Sequence, residues 1–184
     1  MHKSYLHSKT KAFRSTIAEA YPFYNGLSPR LQKTASGMLM NKALERIPYL
    51  SSRFLSTEDQ CQVAIQCSLV VAPAGELVDF SKLERGIYVF IQGTAASLGN
   101  QGRWKMVTAG KACGFTRVLF DNGHTCSLGG LYFLSFSKMA FIPRSAVLEV
   151  LERNPRAWKA CARWIYLQGC LRHWYRMRKE DGLA

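Results

Sequence analysis

The apolar residues of this 184-residue chain change their spacing twice, near Val63 and again at Pro143. Outside those two points they recur at helical intervals. Between them they fall in compact runs rich in β-branched and aromatic residues. The runs are Leu69-Val70-Val71, Ile87-Tyr88-Val89-Phe90-Ile91 and Tyr132-Phe133-Leu134-Ser135-Phe136. Turn chemistry separates them at Pro73-Ala74-Gly75, Leu98-Gly99-Asn100-Gln101-Gly102 and Asp121-Asn122-Gly123. Short strands at this spacing predict an α+β chain: an antiparallel, jelly-roll-like β-roll at about 62–142, flanked by N- and C-terminal helices. Neither a helical bundle nor a parallel sheet with crossovers fits the pattern.

The flanks carry their own punctuation. Leu27-Ser28-Pro29-Arg30-Leu31 reads as a helix start, with Ser28 able to cap and Pro29 at the first helical position. Leu31, Ala35, Met38, Leu39 and Lys42-Ala43 continue the helical spacing towards Ile47, and Pro48 marks the stop. Lys9 to Tyr21 reads as a weaker helix ending near Pro22, and Thr57-Glu58-Asp59-Gln60 has the capping-box pattern of a short one. Beyond Pro143, the stripe of Val147, Leu148, Val150 and Leu151 ends at Asn154-Pro155. A longer helix then runs from about Arg156 to Lys179. The chain divides into a helical linker segment at 1–56, a roll with short helices at 57–155, and a terminal helix with a basic aromatic tail at 156–184.

Composition narrows the function classes. A hydrophobic share of 48% is enough for a real core. No stretch approaches the roughly 20 apolar residues that a bilayer span needs, and Met1-His2-Lys3-Ser4-Tyr5 lacks the apolar run of a signal peptide. The six cysteines form no CxxC pair, which speaks against a disulfide framework or a zinc site and for the cytosol. Four scattered histidines, with no nucleotide or nucleophile motif around them, speak against an enzyme. The net charge of +13 attracts polyanions, acidic proteins or anionic lipid.

Helices leading into a roll, then a short helix and a long one, form a recognisable order. Residues 27–165 resemble the end of the C-linker plus the cyclic-nucleotide-binding domain of voltage-gated-type and cyclic-nucleotide-gated channels. Leu27-Ser28-Pro29-Arg30-Leu31 resembles the linker helix start, and Leu44-Glu45-Arg46-Ile47-Pro48-Tyr49-Leu50 the approach to the domain. Pro73-Ala74-Gly75-Glu76 resembles the family's Pro-Gly-Glu turn, and Ile87-Tyr88-Val89-Phe90-Ile91-Gln92-Gly93 the strand ending in Gly. Each motif is modest alone, and their order carries the resemblance.

The resemblance also points to a degenerate nucleotide pocket at Gly114, Phe115, Arg117, His124 and Thr125. In the family, backbone amides after a Gly and an Arg neutralise the phosphate, while a Glu after that Gly holds the ribose hydroxyl. Here Gly114 remains, Phe115 stands at the Glu position, and His124 or Thr125 falls at the Arg position. Phenylalanine cannot hydrogen-bond a hydroxyl, and histidine is only partly charged at neutral pH. Losing two charge-assisted contacts of about 1.5–3 kcal/mol each weakens binding by several powers of ten. Arg117 could supply a substitute charge. No cofactor is expected, and cyclic AMP or GMP least of all.

The last helix is the second informative stretch. Between Arg156 and Lys179 lie seven Arg or Lys residues and no acid, interleaved with Trp158, Trp164 and Trp174. A basic helix with large apolar anchors reads as a calmodulin-type target or a membrane-surface helix. Trp164, Leu171 and Met177 have the spacing of groove anchors. Leu167-Gln168 with Arg172 is the first half of an IQ motif, and Arg176 adds charge. Plant-type cyclic-nucleotide-gated channels carry a similar tryptophan-rich, IQ-like helix at this place.

The expected function is therefore a cytosolic regulatory domain of an ion-channel-like protein at the inner face of a membrane. It would form homo- or hetero-tetramers through its N-terminal helices and bind calmodulin or anionic lipid through its tail. The alternatives are a non-channel scaffold or regulatory subunit with the same roll, or a basic nucleic-acid-binding regulator. The last is disfavoured because too few residues follow Trp164 for a helix-turn-helix domain.

Overall fold

A computed structural model describes residues 14–79, 83–99, 104–115, 118 and 128–180; in the last helix it leaves out the side chains of 168, 169 and 171–180. Among the described residues, nine strands form two antiparallel sheets. In sequence they are β1 (Arg14–Thr16), β2 (Ser68–Ala72), β3 (Leu77–Asp79), β4 (Gly86–Gln92), β5 (Thr94–Gly99), β6 (Trp104–Thr108), β7 (Ala112–Cys113), β8 (Leu128–Phe133) and β9 (Ser137–Pro143). One sheet has the order β1-β2-β9-β4-β7 and the other β3-β8-β5-β6. The helices are α1 (Ile17–Ala20), α2 (Pro29–Leu44), α3 (Thr57–Gln66), α4 (Arg144–Arg153) and α5 (Pro155–Glu180). The architecture is the expected roll between helical flanks.

The centre of the five-stranded sheet is covered on both faces, which explains why β2 and β4 read as apolar runs. Alternate residues serve two cores. Ile87 and Val89 of β4, with Ala140 and Ile142 of β9, face the helices and pack with Leu44, Ile47, Leu50, Val63, Val147 and Leu151. Tyr88 and Phe90, with Met139 and Phe141, face the roll interior and meet Ala95, Val107, Leu131 and Phe133 of the second sheet. Burying each such large side chain contributes about 1.5–3 kcal/mol.

Several sequence expectations need correction. The stretch read as a helix from Lys9 to Tyr21 contains, where described, strand β1 and one helical turn. Arg14-Ser15-Thr16 pairs with Val70-Leu69-Ser68, and Arg14 adds a hydrogen bond to the Ser68 hydroxyl and an ion pair with Glu84. Thr16 then closes a capping box with Glu19. The helix before the roll extends to Gln66, so regular strand starts at Ser68 rather than at Val63. Its cap is Ser56, one residue ahead of Thr57: the Ser56 hydroxyl accepts from the Asp59 amide at 3.1 Å. Ser28 precedes α2 in an extended conformation but makes no side-chain cap, while Pro29 does occupy the first turn.

Part of the apolar stripe expected of α2 faces outward, although its Ala43 is buried. Leu31, Met38 and Leu39 are exposed, and the helix buries Ser36, Met40, Ala43 and Leu44 instead. Gly37 permits the approach of α3, because a Cβ there would stand 2.4 Å from the Cys61 sulfur. Met40 and Leu44 seat the helix in the core beside the small Ser36 and Ala43.

Candidate functional site

The chain reaches the candidate site through β7, which pairs Cys113 with Tyr88 and Ala112 with Val89 at the edge of the five-stranded sheet. Gly114 then takes a left-handed φ of +92°. A Cβ at this position would lie 2.3 Å from the Gly86 carbonyl oxygen, so only glycine fits. Phe115, which follows, is in helical conformation. Val118 is fully buried, and its carbonyl accepts a 2.7 Å hydrogen bond from Arg144 Nε at the start of α4. Arg117, His124 and Thr125 lie outside the described residues.

Phe115 packs against the helical core rather than the roll interior. Its ring centroid lies 4.5 Å from that of Trp164 on α5, at 52°. Trp164 in turn meets Tyr49 edge-on at 6.1 Å. Tyr49 belongs to the 3-10 turn Pro48–Leu50 and is wholly buried. Its hydroxyl lies beside the Cys161 thiol without a well-formed hydrogen bond. Burial pushes the Cys161 thiol up to about 12 and raises the Tyr49 phenol well above its ordinary value, so both stay protonated. Tyr49 was not singled out from sequence. Its signal was only a place in the apolar run Ile47-Pro48-Tyr49-Leu50.

The described roll interior is filled by aromatic and aliphatic side chains. Tyr88 and Phe141 rings lie 4.7 Å apart, and Phe90 stacks on Phe133 at 6.2 Å. The Tyr88 hydroxyl donates to the Glu84 carbonyl, and the Arg14 guanidinium covers Phe141 at 4.4 Å. At the rim, Arg46 lies over the Gly110 turn that leads into β7. Among the described residues, no cluster of histidine, cysteine or acid could hold a metal ion.

The tail residues fall on one continuous helix. Asn154 caps α5 by accepting from the Ala157 amide at 3.4 Å. Ala157 and Cys161 are buried, Trp164 and Ile165 half-buried, and Trp158, Tyr166 and Leu167 exposed. Gln168, Leu171, Arg172, Arg176 and Met177 follow on the same helix, with side chains outside the description. No described helix is long and apolar enough to cross a membrane.

Among solved structures, the chain resembles a cAMP-bound PfPKA-R of residues 141–441, with a TM-score of 0.55 and 16% identity. The match covers 83% of this chain and 49% of that one. This is a cyclic-nucleotide-binding-type β-roll. A regulatory subunit of a cAMP-independent protein kinase A from Trypanosoma brucei, a mutant with cAMP in its A site, aligns at a TM-score of 0.47 and 18% identity. That alignment covers 76% of this chain and 53% of the subunit, so the roll and its helices span about half the length of either. No protein-family model and no curated protein matches the sequence.

Proposed function

We propose that the chain is a regulatory, non-enzymatic domain of an ion-channel-like protein: a degenerate cyclic-nucleotide-binding roll that couples assembly to gating. The observation that carries this reading is Phe115. It follows the left-handed Gly114, where the family would place a ribose-binding carboxylate, and its ring packs on Trp164 of the last helix. That position supplies hydrophobic contact instead of a hydrogen-bond acceptor.

The exposed Leu31, Met38 and Leu39 on α2, with Phe23 just before it, support assembly through the N-terminal helices. The exposed Tyr166 and Leu167, at the head of a stretch rich in Arg and Lys, support a tail that takes calmodulin or anionic lipid at the inner face of a membrane.

Calorimetric titration of the chain with cyclic AMP and cyclic GMP tests the central claim. Dissociation constants no tighter than high micromolar are expected. Low-micromolar binding would show that the pocket is intact and that another group, Arg117 first, holds the phosphate.

A further inference from the structure

The four-stranded sheet has a second face that neither core uses. Ala95, Val107, Leu131 and Phe133 point into the roll, so their neighbours along each strand point outward. The register sets Leu77 of β3, Tyr132 of β8, Ala96 of β5 and Met106 of β6 in one row across the sheet. Trp104 stands beside the row, two residues before Met106 on β6. Leu77, Trp104 and Met106 are each more than half exposed, and Tyr132 is 38% exposed. At roughly 200 Å² for a large side chain, these four leave about 400 Å² of apolar surface uncovered. A patch of that size on a single chain marks an interaction site. It also supplies about half of the roughly 800 Å² that each partner brings to a standard interface, close to the share that is ordinarily apolar.

Charge and shape select the partner. The chain carries +13, yet the described residues at outward positions of this sheet include no Lys or Arg, and Asp79 is the one charge among them. An acidic protein or an anionic membrane gains nothing here from the chain's charge. Two copies, in contrast, meet at this face with the least repulsion. The row is also self-complementary. Ala96 is 8% exposed and belongs to neither core, so it floors a hollow flanked by Tyr132 and Met106. A two-fold contact needs a knob and a hole on the same patch, and Met106 and Ala96 are such a pair. Pairing along the edge strand β6 fits less well, because the exposed Lys105 stands within it. We infer that this face is a two-fold docking surface for a second copy of the chain, sheet against sheet, with Met106 seated over the partner's Ala96. The contact uses the roll and not α2, so its failure and that of the assembly proposed for α2 are separable.

Sedimentation velocity from low to high micromolar concentration, with Leu31→Glu and Met38→Glu present to silence α2, reads this contact alone. A dimer is expected. Met106→Glu and, separately, Trp104→Glu should raise its dissociation constant at least about tenfold, because each buries an unpaired charge. Both replace exposed side chains, so the circular dichroism of the dilute chain should not change. Met106→Leu should stay within about threefold of the parent. Ala96→Leu should weaken the dimer although it adds apolar surface, since it fills the hollow that the partner's Met106 needs. A monomer throughout the range, or a dimer indifferent to both Glu substitutions, overturns the inference. A monomer that floats with phosphatidylcholine vesicles only while Trp104 is intact overturns it in favour of a lipid-facing sheet. A dimer strengthened by Ala96→Leu overturns the two-fold seating, because any apolar contact would then serve. If the α2 background does not fold, the same comparisons in the otherwise unsubstituted chain decide.

Discussion

The Gly86 carbonyl oxygen stands 2.3 Å from the point where a Cβ on Gly114 would lie, so β4 and the β7 exit close against each other only with glycine there. Gly114 also holds φ at +92°. Gly114→Ala therefore meets strain and a backbone clash together, and a cost of about 2–4 kcal/mol is expected. Urea unfolding of the variant reads it as a lower midpoint. Because the clash involves two main chains, a longer side chain should be no better tolerated than alanine.

Strands β2 and β4 of the five-stranded sheet were legible, β4 because burial on both faces leaves no polar position in Ile87-Tyr88-Val89-Phe90. β1 was not, since Arg14-Ser15-Thr16 has no apolar alternation and owes its conformation to pairing with β2. α2 was legible as a helix but not in its orientation. Leu31, Met38 and Leu39 suggested one core side, yet the helix turns Met40 and Leu44 inward, with Gly37 close to Cys61. At the candidate site, sequence comparison pointed to the exchange of a carboxylate for Phe115. It could not indicate the partner of that ring, because Trp164 lies far from it in sequence and meets it only through the tertiary fold.

That outward stripe of α2 gives a test of assembly. Leu31 and Met38 are 55% and 76% exposed, so replacing both with Glu should change the stability of the isolated fold by less than about 0.5 kcal/mol each. Sedimentation velocity of the double variant should show a smaller species than the unsubstituted chain at equal concentration. Identical sedimentation would remove the N-terminal helices as an assembly surface.

Glu45 provides a pH dependence with a defined sign. Its carboxylate accepts from the Ser52 amide at 2.7 Å and from Gln60 Nε2 at 3.0 Å. Partial burial acts to raise its pKa, but the bonds from Gln60 and Ser52 outweigh it and hold the group below its ordinary 4.5. A depressed acid stabilises the fold fully above its unfolded pKa and loses that contribution as pH falls through the folded value. The urea midpoint of the unsubstituted chain should therefore exceed that of Glu45→Gln near neutral pH. The gap should close as pH is lowered from about 6 to about 3. Because Glu45 is largely exposed, the gap is expected to be small.

The tail should behave differently in isolation and in the intact chain. In a peptide of residues 156–180, Trp164, Leu171 and Met177 are all available as anchors. In the folded chain, Trp164 is already engaged with Phe115 and Tyr49. An acidic partner that needs Trp164 must first break those contacts, so the peptide should bind more tightly than the chain. The aromatic pairing alone sets a difference of about 0.5–1.5 kcal/mol, or roughly two- to tenfold. Phe115→Ala in the intact chain should recover part of it. Arg172→Ala with Arg176→Ala should instead slow association and flatten its salt dependence in both forms, because those charges act at long range. Titrating peptide and chain against calmodulin, with and without calcium, and against anionic vesicles separates the two candidate partners. Equal affinities of peptide and chain would mean that binding uses only the arm beyond Ile165, and absence of binding to either partner at near-physiological salt would reduce α5 to the cover of the roll.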